Sequence, residues 1–176
     1  ETELVVQRLM GGFEPTAENF RQLILPADAE ERRSKGTPYP FFLASPLEIH
    51  RLKDSEANEW RVEWKWDGIR GQLIHRGHGT YLWSRGEELI NDSFPELISL
   101  GAALPNGTVL DGEVICWKEN DTTPLGFDQL QRRLGRKQVS ASLKKECPVR
   151  FIVYDLLEDN GEDIRGKPLH VRQQKL

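Results

Sequence analysis

Apolar and polar residues alternate over 60–66 and again over 69–76, the pattern of two strands, and Asp67-Gly68 between them suits a tight turn. Gly77-His78-Gly79 is a second turn, followed by a third strand over 80–84. Asp92 or Ser93 is placed to cap a helix running to about 104, and Pro105-Asn106-Gly107 then turns the chain into a long strand over 108–117. Helices are predicted over 128–134 and 141–147, the second ended by Pro148. A last strand over 150–157 runs into the turn Glu158-Asp159-Asn160-Gly161. Strands that follow one another through short turns predict a largely antiparallel sheet with flanking helices, an α+β fold.

The segment ahead of this core differs. Residues 3–10 have helical composition, ended by Gly11-Gly12. Thr16 reads as the N-cap of a short helix over 17–25, with Asn19 where a capping box would carry Glu or Gln, and Pro26 stops it. Residues 27–36 are polar and read as a loop or linker. Pro38, Pro40 and Pro46 make the next stretch extended. The chain starts at Glu1 without a methionine and stops at Leu176 inside a segment, 169–176, that reads as an opening helix. Both ends read as cuts through a longer protein.

Composition narrows the function class. At 176 residues with 38% hydrophobic content, five Trp and seven Phe, the chain supports one well-buried core. A net charge of −4 gives no global field for nucleic acid, so any such contact must come from local clusters. Cys116 and Cys147 have no paired spacing, and with four scattered His residues no zinc set is visible. Two free thiols in a reducing cytosol is the expectation. No apolar run reaches the roughly 18 residues that span a membrane, and no signal peptide is expected.

Candidate chemistry centres on Glu63-Trp64-Lys65-Trp66-Asp67-Gly68-Ile69-Arg70. On a strand, Glu63, Lys65 and Asp67 share one face and Trp64 and Trp66 the other. One face packs; the other gathers a cation between two carboxylates, which makes it either a solvated edge or a site. A lysine with an ordinary pKa of about 10.4 is scarcely deprotonated at neutral pH, so a nucleophilic Lys65 needs burial or nearby positive charge, such as Arg70 or a metal. Asp111-Gly112-Glu113 interrupts an apolar strand with two carboxylates on one face; it is a bulge or edge, or a metal or hydroxyl contact. Arg85 ends a strand, suited to bidentate phosphate contact or to a plain surface. Arg132, Arg133 and Arg136 form the densest basic run, either on DNA phosphates or on a solvated helix face. In the strand over 150–157, Phe151, Val153, Asp155 and Leu157 alternate with Ile152, Tyr154 and Leu156. Tyr154 is then a core aromatic or a platform for a base.

Taken in order, Lys65-x-Asp67-Gly68-x-Arg70, Ser84-Arg85, Asp111-Gly112-Glu113 and Tyr154-Asp155-Leu156-Leu157 resemble the first four nucleotidyltransferase motifs of ATP-dependent DNA ligases. The tail Gly161-x-Asp163-x-Arg165-x-x-Pro168-Leu169-x-x-Arg172 looks like the DNA ligase version in particular. The resemblance covers residues 38–176 and implies the N-terminal part of an adenylation domain of the nucleotidyltransferase, ATP-grasp-like type, incomplete at its C-terminus. Residues 1–37 look like the end of an N-terminal helical domain and its linker.

By that resemblance Lys65 attacks the α-phosphate of ATP, expels pyrophosphate and becomes lysyl-AMP. AMP then passes to the 5′-phosphate of a nick in duplex DNA, and the 3′-hydroxyl displaces it. The resemblance implies Glu63 at the adenine edge, Tyr154 stacked on adenine and Trp64 as further nucleotide contact and packing support. It implies Arg70 on the nucleotide or nick phosphate, Arg85 on ribose or the nick 5′-phosphate, and Glu113 on ribose or metal, with Asp67 and Asp111 in support. ATP and Mg²⁺ or another divalent cation are the implied cofactors, and nicked DNA the partner. The protein is expected to be a cytoplasmic monomer, nucleoid-associated if bacterial, with no membrane contact.

The resemblance implies that a later glutamate-bearing strand, a lysine pair and a C-terminal OB-fold domain would lie beyond Leu176, so these 176 residues alone are expected to label poorly with AMP and not to seal nicks. RNA ligases and capping guanylyltransferases share Lys-x-Asp-Gly, but the stretch from Asp155 to Arg172 argues against them. From another class, the chain could be a β-rich nucleic-acid-binding module with Lys65 a phosphate contact.

Overall fold

The computed structural model describes residues 14–24, 36–53, 55–77 and 79–176. The helix expected over 3–10 and nearly all of the loop expected over 27–36 lie outside them. In chain order the elements are α1 (Ala17–Ile24), α2 (Ile49–Lys53), β1 (Ile69–Arg76), β2 (Gly79–Ser84), α3 (Pro95–Gly101), β3 (Thr108–Cys116), α4 (Phe127–Gln131), α5 (Ala141–Glu146), β4 (Val149–Asp159), β5 (Glu162–Asp163) and α6 (Leu169–Gln173). The strands form one sheet in the order β2-β1-β3-β4-β5, antiparallel throughout. The α+β antiparallel expectation therefore holds. No helix among the described residues is long and apolar enough to cross a membrane.

Local chemistry explains the element ends. Thr16 accepts the Asn19 N–H at 3.1 Å, the expected N-cap of α1. Pro95 opens α3, where its missing N–H and fixed φ do no harm. β4 runs two residues past its predicted end, and the turn narrows to Asn160 and Gly161, both with positive φ, a two-residue hairpin.

The strand expected over 60–66 does not form. Residues 60–67 have no regular structure and pair with no strand among the described residues. Alternation makes a segment competent to be a strand; a partner with free N–H and C=O groups makes it one.

The sheet has two unlike faces. One is covered by α3, α4 and α5 around Leu73, Leu82, Phe94, Val114 and Leu130. Arg133 lies inside this layer, fully buried. It donates to the carbonyls of Ser93 (3.0 Å) and Cys147 (2.9 Å) and to Glu96 (2.6 Å), and its guanidinium lies 5.2 Å from the Phe94 ring centroid. Each guanidinium nitrogen has a partner and the side chain has no exposed surface, so Arg133 has nothing to offer a DNA phosphate, which corrects that expectation. Cys116 and Cys147, expected as free thiols, are bonded to each other, with Cα atoms 5.5 Å apart. Their spacing hid this because they meet only where the end of α5 packs on the end of β3.

On the other face β1 presents Arg70, Gln72, Ile74 and Arg76 at every second residue. The extended segment 36–42 lies across them as a strap. Gln72, wholly buried, accepts the Tyr39 N–H (2.7 Å) and donates to the Tyr39 carbonyl (2.9 Å). Arg76 donates to the Thr37 carbonyl (2.8 Å), Trp83 to that of Gly36 (2.6 Å), and Arg70 to that of Phe42. Side chains thus satisfy a backbone whose prolines exclude it from a sheet interior. Beneath the strap, Arg76 and Glu158 form a buried ion pair at 2.6 Å, capped by the Tyr39 hydroxyl.

Candidate active site

The unpaired segment 60–67 brings Lys65 to the open face. Lys65 is exposed, and among the described residues its amine makes no hydrogen bond or ion pair. Of the two tryptophans expected as support, Trp64 lies 6.4 Å from Trp66 between ring centroids, and Trp66 carries the packing further in. Trp64 is 83% exposed, whereas Trp66 packs against Trp117 at 5.6 Å between centroids, with Arg150 stacked on Trp117 at 5.0 Å. The aromatic support behind Lys65 is therefore Trp66 and Trp117.

Gly68 anchors the segment. A Cβ built there would meet the Val114 carbonyl oxygen at 2.2 Å and the Glu113 side chain at 2.9 Å, so only glycine lets the loop lie against β3. The Gly68 N–H also lies near the Glu113 carboxylate. Burial raises the Glu113 pKa above the ordinary glutamate value; Arg70, this N–H and Arg85 pull it back only in part, and Asp111 adds to the rise.

β1 and β3 set the next groups. Arg70 pairs across the ladder with Glu113, and Gln72 with Asp111, so all four share the open face. Arg70 donates to both Asp111 oxygens, at 3.2 and 3.0 Å, a bidentate pair. Its guanidinium also sits between the Phe41 and Tyr154 rings, 5.7 and 5.8 Å from their centroids. Burial pushes the Asp111 carboxyl up, and Arg70 offsets this only partly.

Tyr154 reaches the site through a bulge. β3 pairs Asp111 with Asp155 but Gly112 with Val153, leaving Tyr154 as the extra residue. Tyr154 and Asp155 therefore both face the same cavity, against the strict alternation expected over 150–157. The Tyr154 hydroxyl engages Asp111, and burial followed by that carboxylate holds its pKa well above the ordinary tyrosine value.

Two cavities meet here. One, about 610 Å³, is lined by Glu63, Trp64, Tyr154, Asp155, Leu157 and Gln173 among others. The second, about 550 Å³, is lined by Asp67, Gly68, Ser84, Arg85 and Gly86 among others. Lys65, Trp66, Arg70 and Glu113 line both. All of the expected site residues around Lys65 thus converge, with Asp111 bracing Arg70 from the first cavity. Arg132 and Arg136 line neither cavity; Arg132 is on the surface, paired with Glu146 at 2.6 Å. Among the described residues no three His, Cys, Asp or Glu side chains converge as a metal cage.

A sequence model described as the ATP dependent DNA ligase domain matches residues 41–176. The chain belongs to that family. A probable DNA ligase of Koribacter versatilis is 39% identical over 139 residues, 79% of this chain and 24% of its own length. A DNA ligase of Haloarcula marismortui is 34% identical over 65% of this chain and 21% of its own length. The ligase domain of M. tuberculosis LigD superposes with a TM-score of 0.50 at 28% identity, covering 64% of this chain and 34% of that one. A mycobacterial DNA ligase D complexed with ATP and MES does so with the same score at 27% identity. The chain thus spans about a quarter of the length of the first curated relative.

Within this DNA ligase domain, sequence reading missed Trp117, Gln72 and Gln173. Trp117 sits one residue past the end of β3, where only the fold brings it under Trp66. Gln72 had no signal of its own, because beside Arg70 and Arg76 it reads as one more polar position of an alternating strand.

Proposed function

We propose that this chain is the nucleophile-bearing part of the adenylation domain of an ATP-dependent DNA ligase that seals nicks in duplex DNA. Residues 38–176 are that part, and 1–37 the end of a helical domain with its linker. The carrying observation is the position of Lys65 where the two cavities join. An aromatic ring and a carboxylate, Tyr154 and Glu63, line the first cavity and suit a purine; Arg85 in the second suits a nick phosphate.

In this reading ATP is a substrate with its base against Tyr154 and its exocyclic amine toward Glu63. Deprotonated Lys65 attacks the α-phosphate in line with the departing pyrophosphate, forming a phosphoramidate. Arg70, fixed by Asp111, offsets the charge that builds on the phosphate oxygens. The AMP then transfers to a 5′-phosphate drawn to Arg85, freeing Lys65, and a 3′-hydroxyl attacks that phosphate and expels AMP to complete the seal. Glu113 fits a magnesium ion, which usually takes one or two protein carboxylates and completes its shell from phosphates and water. Bound there, the ion would supply charge neutralisation at the phosphates. The protein is proposed to act as a cytoplasmic monomer.

The test uses the protein at its full natural length with Mg²⁺ and α-labelled ATP, then nicked DNA. Covalent label at Lys65 that is chased by nicked DNA is expected. Lys65→Arg should abolish label and sealing, because a guanidinium is not nucleophilic at neutral pH. A Lys65→Arg protein that still labels refutes the assignment of the nucleophile. The 176-residue chain alone should label weakly and seal nothing.

A further inference from the structure

α6 forms the end wall of the first cavity through Leu169 and Gln173, one turn apart. The helix is fastened without Gln173. Arg172 makes a bidentate pair with Asp155, both bonds 2.8 Å, and donates to the carbonyls of Arg165 and Lys167. Gln173 is thus not alone in holding the helix, and its amide reaches further, to the segment 61–63.

Its amide joins three groups. Nε2 donates to the Tyr154 carbonyl at 2.8 Å and reaches Glu63 Oε1 at 3.5 Å, while Oε1 accepts from Arg61. The partners fix which end is which: the Tyr154 carbonyl only accepts and Arg61 only donates. Arg61 Nε in turn donates to the same Glu63 oxygen at 2.6 Å. Among the described residues every bond to Glu63 thus falls on Oε1. The carboxylate is held by one edge, and the segment 61–63, which has no ladder of its own, is tied through Gln173 to the strand bearing Tyr154.

We infer that Gln173 is a positioning residue for nucleotide choice: it holds Glu63 at a set distance from the Tyr154 platform, so that a purine stacked on the ring meets a carboxylate acceptor. A carboxylate accepts from an amino group at purine position 6 and repels a carbonyl there, so a held Glu63 favours ATP over GTP. A mobile Glu63 turns away from the carbonyl and loses that discrimination. The inference rests on the proposed base-edge role of Glu63.

The experiment measures Lys65 adenylation with ATP and with GTP in the full-length protein, for wild type, Gln173→Ala, Gln173→Glu, Glu63→Ala and the double variant Gln173→Ala with Glu63→Ala. Gln173→Ala should raise the KM for ATP about tenfold, the worth of one hydrogen bond to a charged group, with kcat within about twofold. The ATP-to-GTP preference should fall with it. Gln173→Glu keeps the shape, sets a like charge against Glu63 and should lose more. Once Glu63 is alanine, removing Gln173 should change the preference no further. If Glu63→Ala lowers the preference and neither Gln173 variant does, the inference is wrong and the Glu63 role stands. If Glu63→Ala leaves the preference unchanged, the base-edge role fails and takes the inference with it. A fall in kcat alone at unchanged KM and preference would make Gln173 merely structural and also overturn it.

Discussion

The two faces of this sheet each enclose an arginine bound to a carboxylate, yet one face is scaffold and the other is site. Under the helices, Arg133 is wholly buried, and its partners are two carbonyls, Glu96 and a phenylalanine ring. On the open face, Arg70 is held as firmly by Asp111 and the Phe42 carbonyl, but it borders two cavities with Lys65, Glu113 and Arg85 beside it. A basic residue marks a site only when the fold leaves a neighbouring volume empty and some of the surrounding charge unspoken for. Among the described residues Lys65 and Arg85 form no ion pair, whereas Arg133 is saturated.

The sharpest way to break this comparison is to remove the two cations in turn and measure stability. Arg133→Met should destabilise the protein by about 3–5 kcal/mol, because it strands Glu96 and two buried carbonyls. Lys65→Arg should move stability by less than about 0.5 kcal/mol while abolishing adenylation. Urea unfolding followed by tryptophan fluorescence reads the first, and α-labelled ATP the second. Comparable stability losses for the two variants would mean that Lys65 belongs to the scaffold too.

How far the sequence was legible follows the same division. β1, β2 and β3 were readable because their alternation ends in glycine turns that act locally. The segment 60–67 was misread because a strand needs a partner, and pattern carries no information about one. Tyr154 was found as a residue but given the wrong face relative to Asp155, since one bulged residue reverses alternation beyond it. Arg133 looked like the rest of its basic run; its burial is decided by Ser93, Glu96 and Cys147, far away in the chain. Gln173 had no chance of being singled out, because its three partners come from segments that meet only in the fold.

A smaller effect tests the join between loop and sheet. Gly68→Ala places a methyl 2.2 Å from the Val114 carbonyl oxygen, so the loop must lift from β3. Displacing a reacting group by about 1 Å lowers turnover by about a hundredfold, and a loss of that order in adenylation rate is expected. Stability should fall far less than for Arg133→Met, because little core is disturbed. Gly68→Ala with full activity would show that Lys65 is not positioned through Gly68.

The smallest effect separates the faces by the sign of their pH dependence. Burial pushes Glu96 up, but the Arg133 hydrogen bond, a backbone N–H and the charges of Arg133 and Lys144 outweigh it, so its pKa lies below the ordinary value. The folded state then binds fewer protons than the unfolded one, and this contribution to stability is present above the unfolded glutamate pKa of about 4.3 and lost as pH falls through the folded value. Asp111 runs the other way. Burial, only partly offset by Arg70, raises its pKa, so the folded state binds more protons and stability declines as pH rises from about 3.9 through the folded value. Glu96→Gln should therefore flatten the loss of stability on acidification, by at most about 1 kcal/mol because Glu96 is partly exposed. Asp111→Asn should steepen the same limb, since it removes a group whose protonation favours the folded state. Measured by urea unfolding across that range, opposite changes of slope support a saturated covered face and an under-compensated open one. Changes in the same direction would mean that Arg70 satisfies Asp111 as fully as Arg133 satisfies Glu96, and the distinction between scaffold and site would then rest on the cavities alone.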